Sequence, residues 1–211
     1  MKKWSLYLFS FVLLATVRPA WSEGTDLPIG NIDQIQGEVG LMRKGEAITP
    51  AGNTLLQEGD RLTTGKGGLK LRLKDNSRIT LAANTQFEIT RYRFNAEAKT
   101  SDAHFKLLSG AFRAVTGAIG HLPKPSFEVE TPVATMGIRG TDFWGGFIFN
   151  GDLDVAMFSG KGVYVRNADG ISEIRLPGEG VTVVKGRAPT DARIWPDWKI
   201  QRAIESTLLE P

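Results

Sequence analysis

Residues 128–144 carry the sequence EVETPVATMGIRGTDFW, which has one proline, two glycines, three threonines and an arginine between the glycines. The residues before Pro132 alternate between apolar and polar, as they do in a half-buried strand. Pro132 lacks a backbone N–H, which argues against a central strand position there. Gly137 and Gly140 indicate positive φ or a close approach of backbones. The stretch therefore predicts a strand, a sharp corner with Arg139 on it, and a second strand.

The N-terminus has the pattern of a cleaved secretory signal. Two lysines precede an apolar run from Leu6 to Val17, and Ala20-Trp21-Ser22 supplies a small-x-small cleavage site. The run is short for a bilayer span, which takes roughly 20 residues. We expect cleavage after Ser22, which would leave a periplasmic or secreted protein with no transmembrane span.

Charge and cysteine content exclude several classes of function. The chain has 26 Lys and Arg against 23 Asp and Glu, a net charge of +3. Residues 1–22 contain three of the bases and no acid, so the remaining chain has 23 bases, 23 acids and no net charge. Its charge therefore gives no argument for a nucleic-acid partner. The absence of cysteine excludes a disulfide framework, thiolate metal sites and a cysteine nucleophile.

The apolar pattern predicts an all-β fold. More than ten short segments alternate with period two, and turn signals separate them about every 8–12 residues. The clearest strand alternates apolar and basic residues over 69–74, and Asp75-Asn76-Ser77 is suited to a tight hairpin turn. We also interpret the glycine-rich residues 65–68 as a turn. We favour a sandwich with solenoid-like winding over a closed barrel.

The C-terminal segment differs from the rest of the chain. Ile200, Ile204 and Leu208 lie at i, i+4 and i+8, which predicts a short amphipathic α-helix. We expect Trp195 and Trp198 to dock this helix on the sheet. The predicted organisation is a signal peptide at 1–22, a flexible N-terminus at 23–34, an all-β domain at 35–188 and a helical tail at 189–211.

Several of these elements together resemble the FecR-type periplasmic domain. They are Gly37-Glu38-Val39, the run EGDRLTTG at 58–65, the hairpin LRLKDNSRITL at 71–81, and residues 127–143. The family more often has glycine in place of Asn76. The resemblance covers about residues 35–145 and implies an all-β periplasmic module.

The resemblance also carries expectations about function. In the best-known members the domain is part of a transmembrane regulator that relays the state of an outer-membrane receptor to a cytoplasmic segment that binds a sigma factor. This sequence has neither that segment nor an internal transmembrane helix, and a signal peptide stands in their place. The chain therefore resembles a stand-alone, signal-peptide-bearing form.

Catalytic and cofactor patterns are weak. His104 and His121 have no histidine or cysteine at ligand spacing, so we expect no metal site. The sequence contains no Gly-x-Ser-x-Gly elbow. The segment 59–67 resembles a phosphate loop, but it has five residues between its first two glycines, and Gly67 stands where serine or threonine is required. We predict no enzyme activity and no cofactor.

Arg139 has two interpretations. It could contact a ligand or a partner, because a guanidinium is a rigid fork suited to carboxylates. Alternatively it is buried and paired with Asp142 or Glu130, and its loss would cost a few kcal/mol. We favour the buried arginine. The corner is then a structural motif made of Gly137, Arg139, Gly140, Thr141 and Asp142.

A basic strip offers a possible partner surface, comprising Lys70, Arg72, Lys74 and Arg78. It could meet an acidic partner or an anionic polysaccharide. The simpler interpretation is a solvated face whose lysines discourage edge aggregation.

Aromatic residues raise a second possibility. Trp144, Phe147 and Phe149 could form a stacking platform for a glycan, although we favour core packing. We predict a non-catalytic exported envelope module that binds an unknown envelope protein in sensing, signalling or assembly. The alternative is a carbohydrate- or peptidoglycan-associated binding module.

Overall fold

The computed structural model describes residues 27–210, so the predicted signal peptide lies outside the described residues. This part of the chain has sixteen strands and one α-helix. The strands are β1 (Gly30–Arg43), β2 (Glu46–Ile48), β3 (Leu55–Leu56), β4 (Arg61–Leu73), β5 (Arg78–Leu81), β6 (Gln86–Asn95), β7 (Thr100–Ser109), β8 (Ala111–Val115), β9 (Phe127–Glu130), β10 (Thr135–Ile138), β11 (Thr141–Gly146), β12 (Leu153–Gly160), β13 (Val163–Asn167), β14 (Gly170–Ile174), β15 (Glu179–Val183) and β16 (Arg193–Ile194). The helix is α1 (Asp197–Ser206), and a 3-10 helix spans Ala118–His121.

All the strands belong to one sheet that curls on itself. Its order is β14-β13-β10-β9-β7-β6-β4-β5-β8-β11-β12-β15-β16, and β1 pairs with β2, β3 and β4 beside this path. Paired strands in the described sheet are antiparallel, except for the parallel pair β7 and β9. The two ends of the sheet come close where β14 lies beside β15. The all-β class is confirmed, in the form of a nearly closed, sandwich-like sheet.

The main core lies inside the curl and follows from period-two alternation. Leu69, Leu71 and Leu73 on β4 are buried, whereas the basic residues between them lie on the outer face. Burying each such side chain contributes roughly 1.5–3 kcal/mol. Five buried phenylalanines form a contiguous cluster with ring centroids 5.0–6.4 Å apart, namely Phe87, Phe105, Phe112, Phe127 and Phe143.

A second core lies on the outer face of the sheet, beneath α1. Trp144 and Ala203 are fully buried there, and Trp144 Nε1 donates to Ser206 Oγ at 3.0 Å. The predicted C-terminal helix is therefore confirmed. Trp195 docks it with 7% of its surface exposed. Trp198 is 65% exposed and contacts the second core only edge-on through Phe149, with ring centroids 6.1 Å apart. The predicted docking is therefore confirmed for Trp195, and Trp198 adds one peripheral ring contact.

Two local predictions differ from the structure. The first strand begins at Gly30 rather than near residue 35, because Ile32 is fully buried opposite Leu71. The predicted turn at 65–68 is wrong, since β4 runs straight through it. Gly67 (φ +130°) lies opposite Gly37 (φ +72°), where the register of β1 and β4 shifts. A Cβ on either glycine would overlap a facing carbonyl, so these glycines mark a bulge rather than a turn.

Candidate functional site

Residues 127–146 form the predicted strand and corner with one additional turn. Between β9 and β10, Thr131 closes a tight turn around Pro132: its hydroxyl donates to the Ala134 carbonyl at 2.7 Å and accepts from the Ala134 N–H at 3.1 Å. The predicted corner follows at residues 139–140, between β10 and β11. The proline and the second glycine thus mark separate reversals of the chain.

Gly137 leaves room for the side chain of Tyr164. It pairs with Tyr164 of β13, and a Cβ at Gly137 would overlap the Tyr164 ring. The Tyr164 hydroxyl reaches across β10 and donates to the Glu128 carboxylate on β9. Burial, followed by this hydrogen bond, raises the pKa of Tyr164 to about 12, so the phenol is neutral at physiological pH. Gly137 is therefore required by packing and not by its backbone conformation.

We expect Gly137→Ala to lower the free energy of unfolding by about 1–3 kcal/mol, because the added methyl forces the Tyr164 ring out of place. Urea unfolding measures the effect. Gly52→Ala is a matched control, since a Cβ there meets open space. In a Tyr164→Ala background the same Gly137 substitution should cost much less. Equal costs in the two backgrounds would contradict the proposed overlap.

Gly140 and Thr141 fix the corner itself. Gly140 has φ +77° and lies against the Gly120 carbonyl, which leaves no room for a side chain. Thr141 is buried, and its hydroxyl donates to the Gly162 carbonyl at 2.9 Å. These contacts tie the corner to the loop before β9 and to the turn between β12 and β13.

Asp142 is held by a different arginine from the one expected. Its carboxylate accepts from Arg113 Nε at 2.8 Å and Arg113 Nη2 at 2.7 Å, a bidentate pair between β8 and β11. This pair raises the pKa of Arg113, chiefly through the hydrogen bonds to Asp142. The acid that we expected to hold Arg139 is therefore already occupied.

Arg139 faces solvent, so the interpretation as a buried, paired arginine is wrong. Its side chain is 64% exposed, and its nearest carboxylate is Glu173 at 3.4 Å. Glu173 is held more closely by Arg175, at 2.8 Å. The other four residues of the predicted motif make close contacts within the fold, whereas the Arg139 side chain does not.

Arg139→Ala is accordingly expected to change the free energy of unfolding by less than about 1 kcal/mol, the usual range for an exposed ion pair. Arg113→Ala is the matched comparison and should cost more, because it leaves Asp142 half-buried without its partner. Chemical denaturation of the two variants tests this difference. A loss at Arg139 as large as that at Arg113 would restore the structural interpretation.

The predicted basic strip becomes a groove of about 470 Å³, which we call the basic groove. Lys70, Arg72 and Arg78 line it together with Arg113, which the sequence analysis missed. Arg113 alternates with buried Phe112 and Ala114, and that pattern could have placed it on the outer face. Lys74 does not join them and lines a separate cavity.

Most cations of the basic groove have a side-chain partner. Lys70 Nζ donates to Gln34 Oε1 at 3.1 Å, and Arg72 Nη2 lies 3.0 Å from Asp33 Oδ2. The Arg78 side chain is exposed and has no hydrogen-bond or ion-pair partner within residues 27–210. It is therefore the cation that remains free to bind a ligand.

Asp75 is a buried residue whose importance the sequence analysis missed. Its Oδ1 accepts from the Tyr92 hydroxyl at 2.8 Å and from the Ser77 N–H at 3.1 Å. Its Oδ2 accepts from the Ser77 hydroxyl at 2.6 Å and from the Ile119 N–H at 3.1 Å. Burial, followed by the neighbouring Asp75 charge, raises the pKa of Tyr92. Asp75 thus ties the hairpin turn to the 3-10 helix that supports Gly140.

His104 and Trp144 remain among the residues that the sequence singled out. His104 lies between two carboxylates, with Nε2 2.8 Å from Asp102 and Nδ1 3.6 Å from Glu128. Residues 27–210 contain no group of histidine and acidic residues arranged to hold a metal ion. Trp144 is buried in the second core, so the preference for core packing over a surface glycan platform is confirmed there.

None of the helices in the described part of the chain is long and apolar enough to cross a membrane.

The described residues form an all-β module with open surface grooves, and comparison with known proteins shows what it is similar to. Residues 60–161 match the family model described as FecR protein. This match confirms the resemblance to the FecR-type domain that was drawn from the motifs. A search of curated proteins finds no significant match.

Solved structures support the same fold. Two crystal structures of a "putative anti-sigma factor" from Parabacteroides distasonis ATCC 8503 match with TM-scores of 0.51 and 0.50, at 16% and 15% identity. The matches cover 67% and 66% of this chain and 62% and 61% of those chains. The chain thus spans about three fifths of the length of these structures. At this identity the likeness shows a shared fold.

Proposed function

We propose that this protein is a non-catalytic signalling module of the cell envelope that binds a protein partner through the basic groove. The observation that carries the proposal is Arg78, an exposed guanidinium without a partner, in a groove that three further cations line. The FecR domain and the name of the similar anti-sigma factor structures support a role in signalling.

The chemistry of the groove indicates an acidic partner. Its four cations, Lys70, Arg72, Arg78 and Arg113, meet two carboxylates, those of Asp33 and Asp142, so two positive charges remain. Guanidinium groups pair with carboxylates in a bidentate manner, which favours aspartate or glutamate side chains on the partner. Because the groove is open to solvent, we expect the interaction to weaken as salt rises.

Export forms part of the proposal. A cleaved signal at residues 1–22 would place the module in the periplasm or outside the cell. Mass spectrometry of the mature protein should find Glu23 as its first residue. A mature protein that still contains residues 1–22 would contradict this location.

Capture experiments test the binding partner. Affinity-tagged protein is incubated with envelope extract, and we expect it to retain a discrete protein whose yield falls about tenfold in Arg78→Glu. Lys185→Glu is the matched control, because Lys185 is also exposed and has no partner within residues 27–210. Capture that is the same for the two variants would contradict the proposal. Saturable binding of the wild-type protein to purified sacculi, with no protein captured, would favour the carbohydrate alternative.

A further inference from the structure

A second groove lies around Arg139 and shares no residue with the basic groove. Cavities of about 190 and 480 Å³ flank Arg139, and each is lined by Arg139, Lys161 and Tyr164. We call the pair of cavities the Arg139 groove. The larger cavity falls within the range of small-molecule sites, roughly 300–1,000 Å³. Its size therefore admits a small ligand, and the chemistry of its lining indicates the kind of ligand.

Two cations are held side by side in this groove by backbone contacts. The Arg139 N–H donates to the Gly162 carbonyl at 3.0 Å, and the Lys161 N–H donates to the Gly140 carbonyl at 3.1 Å. The corner between β10 and β11 is thus tied to the turn between β12 and β13. These backbone hydrogen bonds fix the main-chain positions of Arg139 and Lys161 relative to each other.

These two cations are also available for binding. Lys161 is exposed and has no side-chain partner in the described part of the chain. Arg139 contacts Glu173 only at 3.4 Å, and that carboxylate is already bound by Arg175 through Nε at 3.1 Å and Nη2 at 2.8 Å. Hydrogen bonding to Arg175 lowers the pKa of Glu173, so Glu173 is ionised and paired at neutral pH. The groove keeps a net positive charge beside Arg139.

Much of the lining of the larger cavity is apolar. Leu122, Pro123, Pro125 and Ile138 line it with Tyr164. The Tyr164 hydroxyl is engaged by Glu128, and the phenol stays protonated, so it brings no negative charge into the groove. An apolar wall beside two cations distinguishes this groove from a site for a fully solvated anion such as phosphate.

We propose that the Arg139 groove binds a small organic monocarboxylate with an apolar or aromatic body. The carboxylate lies between the Arg139 guanidinium and the Lys161 ammonium, as expected for charge-assisted hydrogen bonds. The apolar body covers Pro123, Pro125 and Ile138 and is removed from water there. Arg139, the one motif residue without a close contact in the fold, would therefore recognise the ligand.

The experiment compares 3-phenylpropionate with 3-phenylpropionamide, which has a similar shape and no charge. Each is titrated into isotopically labelled protein, and NMR chemical shifts are followed. We expect the acid to shift the signals of Arg139, Lys161, Ile138 and Tyr164, with an affinity about tenfold or more above that of the amide. Arg139→Gln should remove these shifts, whereas Lys185→Gln, an exposed site outside both grooves, should retain them.

Three outcomes would overturn the proposal: no saturable shifts with the acid, equal binding of the amide, or shifts that persist in Arg139→Gln. Shifts centred on Arg78 would overturn it as well, because the acid would then bind in the basic groove. Since the two grooves share no residue, partner capture by the Arg139→Gln protein tests the proposed function separately. Unfolding of Arg139→Gln in urea confirms that the variant is folded.

Discussion

Asp75→Ala is expected to lower the free energy of unfolding by about 3 kcal/mol or more. The carboxylate is 2% exposed and accepts four hydrogen bonds, from Tyr92, from Ser77 twice and from Ile119. Alanine would leave these buried donors unpaired, and each such group costs about 1–3 kcal/mol. The loss exceeds that of any surface carboxylate, because water cannot readily replace the missing acceptor.

Urea unfolding of Asp75→Ala checks this expectation. Asp191→Ala is the control, since Asp191 is exposed and unpaired within residues 27–210, and it should change stability by less than about 0.5 kcal/mol. Tyr92→Phe removes one donor and should give an intermediate loss of about 1 kcal/mol. A loss below 1 kcal/mol for Asp75→Ala would show that the network is solvated in solution.

Trp195→Ala should lower stability by about 3–5 kcal/mol, the range for removing a buried tryptophan. The indole packs against Gly180, where a Cβ would overlap the ring, and lies edge-on to Trp144 with centroids 6.3 Å apart. Lys199 Nζ lies 4.1 Å from the ring centroid on the same indole. Truncation would open a cavity between α1 and the sheet and expose Trp144 to water.

Trp198→Ala is the matched comparison for this prediction. Trp198 is 65% exposed and has one edge-on ring contact, with Phe149, so its removal should cost only about 0.5–1.5 kcal/mol. Thermal unfolding followed by circular dichroism gives the stability of each variant, and tryptophan fluorescence reports whether Trp144 has become exposed. Equal losses in the two variants would mean that α1 does not dock as the structure shows.

Local patterns account for most of the strands. Alternation over 69–74 predicts β4 and its buried face, and Asp75-Asn76-Ser77 forms the expected hairpin turn with Asn76 at φ +65°. The glycines at 65–68 were wrongly predicted to form a turn. Their role depends on Gly37 of β1, which lies opposite Gly67 of β4. The bulge depends on a pair of residues from two strands that are far apart in sequence, so the residues around Gly67 alone do not predict it.

The environment of Arg139 could not be predicted for a similar reason. Its expected partner Asp142 is bound by Arg113, which lies 29 positions earlier in the chain. The register that brings β8 beside β11 decides this pairing, and nothing in the corner sequence encodes it. Gly137 likewise owes its role to Tyr164, a residue from β13. The sequence marked the corner correctly, and strand pairing determined which of its residues remains free.

The cover that α1 provides has a consequence for the order of folding. Trp144 and Ser206 are 62 positions apart, and Ala111 of the same outer core lies earlier still. If the chain folds from its N-terminus onwards, the central strands can pair before α1 covers this apolar patch. Such an intermediate is prone to self-association, as incompletely covered sheets generally are. Because α1 follows in sequence the strands that it covers, its docking protects this apolar patch from self-association.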